Sequence, residues 1–333
     1  MKRIKVAQIG NEHDHAYWNF LAMRNHPEIF DIAGMVLTSE KDAGVYSCVP
    51  ILSLDEVLAK DDLDAVIIES GKENEVVHAQ LFADRGIPVF LDKPGSADIP
   101  RFETFIRTME KKNLPFGLGY MYRFNPVVTE ALAICKRGEL GEIFSVEAQM
   151  SIELDGQKRE WLGRYKGGML YYLGCHLTDL VCQFQGFPER ILPLSGSTYS
   201  DGIDTEDFGF AVFQYKNGAS FVKTCASEVN GFDRRQLVVC GTKGTIEIRP
   251  LEKIISGDEM KAQAKITLLG EKSKIMETGQ YNRYFPMLEQ FAAQVRGEAG
   301  LVMPYEYELT LLKTIVRACG AKCSVYRGNI KDV

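Results

Sequence analysis

Lys93 and His176 stand in surroundings that suit proton transfer at an alcohol or carbonyl oxygen. Lys93 lies in Asp92-Lys93-Pro94, directly after the apolar run 88–91 (PVFL). The C-terminal end of a strand in a parallel sheet faces the ligand crevice. An ammonium there can polarise or protonate an oxygen, and Pro94 fixes the backbone behind it. Taken alone, a Lys-Pro pair is also a common surface turn. His176 lies in the segment from Lys166 to Asp179, which opens with Gly167-Gly168. The glycine pair lets the chain turn into a helix against a ligand. His176 and Asp179 are three apart and share a helical face, a spacing that suits a general base held by a carboxylate. A core helix with one satisfied histidine has the same pattern.

A third constellation is the turn at Gly10, between the apolar run 4–9 and a helical stretch 16–24. A dinucleotide diphosphate sits on a helix N-terminus, and glycines let the backbone come close. The fingerprint G-x-G-x-x-G reads here Gly10-Asn11-Glu12-His13-Asp14-His15, so one glycine of three survives. Glu12 would bring negative charge towards a diphosphate unless it turns away. An ordinary βα turn that binds no dinucleotide has the same sequence. After the second strand stand Thr38-Ser39-Glu40-Lys41. Hydroxyls and a cation suit the 2′-phosphate of NADP, while Glu40 could serve the ribose of NAD. The expected cofactor contacts are Gly10, Asn11, Glu12, His13, Thr38, Ser39, Glu69, Asp92 and Lys93. His13 and His15 can supply two imidazole ligands to a metal, but no neighbour in sequence completes a set. No metal is expected, and the imidazoles read as lining the cleft beside the acidic side chains.

These side chains need elements to hold them. Runs 4–9, 30–37, 64–68, 88–91 and 115–120 read as strands. Helical stretches at 16–24, 54–60, 75–85 and 99–112 alternate with them, and Ser53 with Glu56 has the form of a capping box. This alternation predicts a Rossmann-type parallel sheet with helices on both faces. It fades at Tyr122-Arg123-Phe124-Asn125-Pro126. The expected division is therefore a dinucleotide-binding domain over 1–121 and an α+β substrate and oligomerisation domain over 122–333. In the second, 143–152 reads as a long strand and 170–184 as one helix. Several strands follow over 207–248 in a largely antiparallel open sheet, with hairpin signals at Lys216-Asn217-Gly218 and Gly241-Thr242-Lys243-Gly244. Run 266–269 suggests another strand. Stretches 281–296 and 305–319 read as closing helices that pack back on the first domain.

Composition bounds the function. The chain has 333 residues, 45% hydrophobic and 25% charged, with a formal net charge of -6. A mildly acidic chain has no electrostatic reason to seek nucleic acid or an anionic membrane. The eight cysteines lie scattered, with no CxxC pair, which suits reduced thiols in a cytoplasmic protein. The N-terminus has no apolar core of a signal peptide, and no apolar run is long enough to span a membrane.

The three constellations, in this order, resemble the glucose–fructose oxidoreductase/inositol dehydrogenase family (Gfo/Idh/MocA). Its Glu-Lys-Pro motif appears as Asp92-Lys93-Pro94, and its GG-x-L-x-D-x-G-x-H helix as Gly167 to His176. Further echoes are Arg123-Phe124-Asn125-Pro126, Gly241 to Glu247, and the closing region with Tyr284, Phe291 and Gly297. The resemblance implies an oxidoreductase that uses NAD or NADP and acts on a sugar, polyol or derivative. It implies a homodimer or homotetramer. It carries the family lysine and histidine to Lys93 and His176. It does not carry the catalytic aspartate, whose place is taken by Tyr172, nor the Thr-Pro-Asn-type loop, replaced by Glu69-Ser70-Gly71-Lys72-Glu73-Asn74.

In the expected reaction His176 takes the alcohol proton as hydride leaves, Lys93 stabilises the oxyanion, and Tyr172 orients the substrate. Arg123, Arg164, Tyr165, Tyr172 and Asp179 are the expected substrate contacts, and Arg283 could also reach hydroxyls or carboxylates. Lys93 and His176 would have to flank one reacting oxygen. Two other readings stand beside this one. A transient oxidation could serve a sugar lyase or glycosidase, or the scaffold could be a non-catalytic binding protein.

Overall fold

The computed structural model describes residues 2–40, 42–328 and 330. The described residues form two compact units: 2–40, 42–121, 284–312 and 330 in the first, and 122–283 with 313–328 in the second.

The first unit is built on five short parallel strands: β1 (Ile4–Ile9), β2 (Phe30–Val36), β3 (Ala65–Ile68), β4 (Val89–Leu91) and β5 (Phe116–Leu118), in the order β2-β1-β3-β4-β5. Strands β3 and β4 are buried along their whole length, which is why they read as unbroken apolar runs. Helices α1 (Asp14–Arg24), α2 (Leu54–Leu58), α3 (Glu75–Asp84) and α4 (Ile99–Lys111) connect them. Helix α2 opens with the expected capping box, Ser53 and Glu56 bonding reciprocally. The unit also takes α9 (Phe285–Val295), which starts later than the pattern suggests because Tyr281–Asn282 pairs as a strand. Within the unit Phe291 meets Phe90 edge to face at 5.6 Å, and Tyr284 stacks on Trp18 at 6.0 Å.

The second unit holds α5 (Pro126–Lys136), β6 (Ile143–Gln149), α6 (Gly156–Leu162), α7 (Gly168–Tyr172), α8 (Gly174–Gln185) and β7 (Arg190–Pro193). Strands β8 (Phe208–Tyr215), β9 (Gly218–Cys225), β10 (Gln236–Gly241) and β11 (Gly244–Ile248) follow. Then come β12 (Lys253–Ser256), β13 (Glu259–Lys261), β14 (Gln263–Leu268), β15 (Lys274–Glu277) and β16 (Tyr281–Asn282). Helix α10 (Tyr305–Ala318) has residues 305–312 in the first unit and 313–318 in the second. The large sheet has the order β15-β14-β11-β10-β6-β9-β8-β7. Both expected hairpins form, Tyr215 opposite Gly218 and Gly241 opposite Gly244. The sheet is mixed, because β6 and β9 run parallel. Strands β12, β13 and β16 form a small separate sheet.

The single helix expected over 170–184 is two. Leu173, at φ -110°, ends α7 and begins α8. Among the described residues no helix is long and apolar enough to cross a membrane.

Candidate functional site

At the C-terminal ends of β1, β3 and β4 the first unit buries a cluster of ionisable groups. Asp92, just past β4, is its centre. His15 Nδ1 lies 2.7 Å from Asp92 Oδ1, and His13 Nδ1 lies 3.1 Å from Oδ2. Lys72, from the loop after β3, donates to Asp92, to Glu75 and, at 2.7 Å, to the Lys93 carbonyl. Asn19 Nδ2 donates to Glu69 Oε1 at 2.6 Å. All these side chains are buried, and so is Lys93.

Burial and charge set their ionisation. Burial pushes Glu69 well above the usual carboxylate range, and Asp92 adds to the push. Burial also raises Glu75, against the pull of Lys72. Asp92 is opposite: burial would raise it, but the Lys72 ammonium and the hydrogen bond with His15 hold it well below. His13 is driven well below the ordinary imidazole value, chiefly by burial. Lys72 is held charged, because Asp92 and Glu75 outweigh its desolvation.

The Gly10 turn departs from a phosphate cradle. Gly10 has φ +93°, and a Cβ there would lie 2.5 Å from the Ser70 Cα. The chain's own packing therefore demands this glycine. Glu12 is exposed, and its carboxylate accepts the Gly71 N–H at 2.5 Å. The His15 N–H is already bonded to the His13 imidazole, 3.1 Å away. Asn11 ties the ends of β1 and β2 together. Its Oδ1 accepts from the Thr38 and Ser39 N–H groups at 3.0 Å, and its Nδ2 donates to the Ser39 carbonyl at 2.9 Å. The amide and hydroxyls here fit the ribose end of a dinucleotide. For its diphosphate to take the Gly71 N–H, Glu12 must first release it. Lys41, the cation expected beside a 2′-phosphate, lies outside the described residues.

The third ligand that sequence neighbours did not offer to His13 and His15 comes from β4. His13, His15 and Asp92 each present one ligand atom, all within 4.8 Å of one another. The Lys72 ammonium already stands on the same carboxylate, so the chain supplies a cation of its own. Lys72, Glu75 and Asn19 were not picked out as site residues. Lys72 lies four residues past β3, inside the polar loop 69–74, and nothing in that loop's sequence marks it as buried.

In the second unit His176 lies in the first turn of α8, its ring edge-to-face with Tyr122 at 5.1 Å. Arg123 grips Asp179 with both arms, Nε to Oδ2 at 2.9 Å and Nη2 to Oδ1 at 2.8 Å. Gln183 adds a donor to Oδ2 at 2.8 Å. This pair, expected at the substrate, is thus engaged with itself. Buried Glu252 gathers Tyr122, Arg235 and Arg283, the last at 3.0 Å. Burial and this carboxylate push the Tyr122 phenol up to about 12. Arg164 reaches the Tyr326 hydroxyl at 3.2 Å. Tyr165 is wholly buried, stacked on Tyr171 at 5.2 Å. Tyr172 closes α7 and packs edge-to-face on Trp161.

Residues 128–247 match the model of the GFO/IDH/MocA C-terminal domain. The chain is 27% identical over 269 residues to D-xylose 1-dehydrogenase (NADP(+)) 2 of Haloferax volcanii, covering 79% of each. It is 26% identical over 229 residues to inositol 2-dehydrogenase of Rhizobium meliloti, covering 66% of this chain and 68% of that one. Aldose-aldose oxidoreductase from Caulobacter crescentus superposes with a TM-score of 0.78 at 18% identity, over 96% of this chain and 98% of that one.

Proposed function

We propose that the chain is a member of the Gfo/Idh/MocA family and an NAD(P)-dependent oxidoreductase acting on a sugar or polyol. The relatives named as D-xylose and inositol dehydrogenases support the substrate class. The observation that carries the reading is the place of Lys93. It is buried just past β4, and Lys72 holds its carbonyl, so the residue is fixed where a parallel sheet presents groups to a ligand.

When bound, the dinucleotide supplies the hydride acceptor or donor. Asn11, Thr38 and Ser39 would hold its ribose end. The Lys93 ammonium stabilises negative charge as it develops on the substrate oxygen. His176 takes the alcohol proton in oxidation and returns it in reduction. Tyr172 donates a hydrogen bond that orients the substrate hydroxyl.

Lys93→Met tests this. Removing a group aimed at developing charge costs about 10²–10³ in turnover. The expected result is a kcat reduced by that factor, with the Kd for NAD or NADP changed less than about threefold. Unchanged turnover on every sugar and polyol that the unaltered protein oxidises removes the proposal.

A further inference from the structure

Tyr172 has a cation against its ring that comes from the neighbouring helix. Lys158 Nζ lies 4.7 Å from the centroid of the Tyr172 ring and 4.1 Å from that of Trp161. The two rings meet at 78° with centroids 5.5 Å apart, so the ammonium sits against both. Its starting point is fixed: Asp155 caps α6 by accepting the Lys158 N–H at 2.8 Å. Tyr172 is only 8% exposed, so its ring meets this charge through little water.

A cation over a neutral ring is held by the ring quadrupole. The same cation over a phenolate faces a full negative charge, and the attraction grows accordingly. Between the limits of bulk water and a partly screened protein environment, a unit charge about 5 Å away favours the ionised phenol by roughly half to two pH units. We propose that Lys158 is a positioning residue that eases ionisation of Tyr172, so that the hydroxyl which orients the substrate can accept a hydrogen bond as well as donate one. The inference rests on the reading of Tyr172 as a site residue.

The other charged and titratable groups around α7 are engaged elsewhere or are weak. On α8, the Cys175 thiol donates to the Tyr172 carbonyl at 3.5 Å, and His176 meets Tyr122. Ahead of β8, Glu206 takes Lys166, the Gly167 N–H and Arg327. On β9, Lys223 pairs with Glu228 at 3.0 Å. On α6 itself, Arg159 is paired with Asp201 and lies 3.8 Å from Asp207.

The test is a spectrophotometric titration of the phenolates, run without cofactor or substrate. The chain has 14 tyrosines, so Tyr172 is isolated as the difference between the unaltered protein and Tyr172→Phe. In the Lys158→Met background the same difference should titrate about one pH unit higher. Lys158→Arg, which keeps the charge, should hold the original midpoint. The pH limb of kcat/KM that Tyr172→Phe abolishes should move with it. Circular dichroism confirms that each variant is folded, and Lys158→Gln replaces Lys158→Met if the latter is not. A midpoint that stays put without the ammonium overturns the inference, and so does a Tyr172 that never ionises before unfolding. Neither result touches the Lys93 test, so the two proposals fail separately.

Discussion

Lys72 acts as the counter-ion of a buried anionic site. Its side chain is 2% exposed and its ammonium is shared between Asp92 and Glu75, both wholly buried. Truncating one partner of a buried pair costs about 3–5 kcal/mol, because the other charge is left without compensation. Lys72→Met should therefore lower the unfolding free energy by about that amount. Adding Asp92→Asn should recover part of it, since the carboxylate that stays ionised is then gone. Urea unfolding of the single and double variants checks this. If the double variant is no more stable than Lys72→Met, the loss comes from packing rather than charge. Half of this cluster was legible in the sequence. Asp92 and Lys93 follow a strand that announces itself by its apolar run, whereas Lys72 lies in a polar loop where a buried lysine looks like any exposed one. Only the sheet order, which sets β4 beside β3, brings them together.

The same limit applies to whole elements. Strands β3 and β4 were readable because burial on both faces leaves an unbroken apolar signature, and the two hairpins of the second unit were readable from their glycines. The break at Leu173 was not, because both halves of the 168–185 stretch keep helical apolar spacing across it. What forces the geometry is at the helix start. Gly168 has φ +38°, and a Cβ there would lie 2.2 Å from the Glu206 carbonyl oxygen. At Gly174, the first residue of α8, a Cβ would meet the tip of Leu170 at 2.6 Å, and a side-chain tip can move. Gly168→Ala should thus cost about 2–4 kcal/mol, combining backbone strain with a clash against main chain. Gly174→Ala should cost about 1 kcal/mol or less. Thermal unfolding of the two variants checks the order. Equal losses would mean that the Glu206 carbonyl yields as readily as a leucine tip.

At the scale of the molecule, the buried ionisable groups give each unit its own response to acid. In the first unit His13 is held well below its ordinary value, mainly by burial. Below about pH 6.5 the unfolded chain then binds a proton that the folded unit refuses. His13 therefore contributes stability above that pH, and the contribution is lost as pH falls towards its folded value, at up to about 1.4 kcal/mol per pH unit. Glu69 and Glu75 work the other way: their values are raised, so the unit gains stability as they take up protons. A variant separates the two effects, since His13→Asn removes only the histidine slope. In the second unit Glu252 is held below the usual carboxylate range, because Arg283 and Arg235 outweigh its burial. Its stability is present above about pH 4.5 and lost below. Each unit holds one tryptophan, Trp18 in the first and Trp161 in the second. In single-tryptophan proteins, His13→Asn should flatten the dependence reported by Trp18 between about pH 5 and 6.5 and leave the Trp161 transition in place. If the Trp18 curve is the same with and without His13, its imidazole titrates as freely folded as unfolded, and the buried, neutral histidine beside Asp92 is not what the first unit holds.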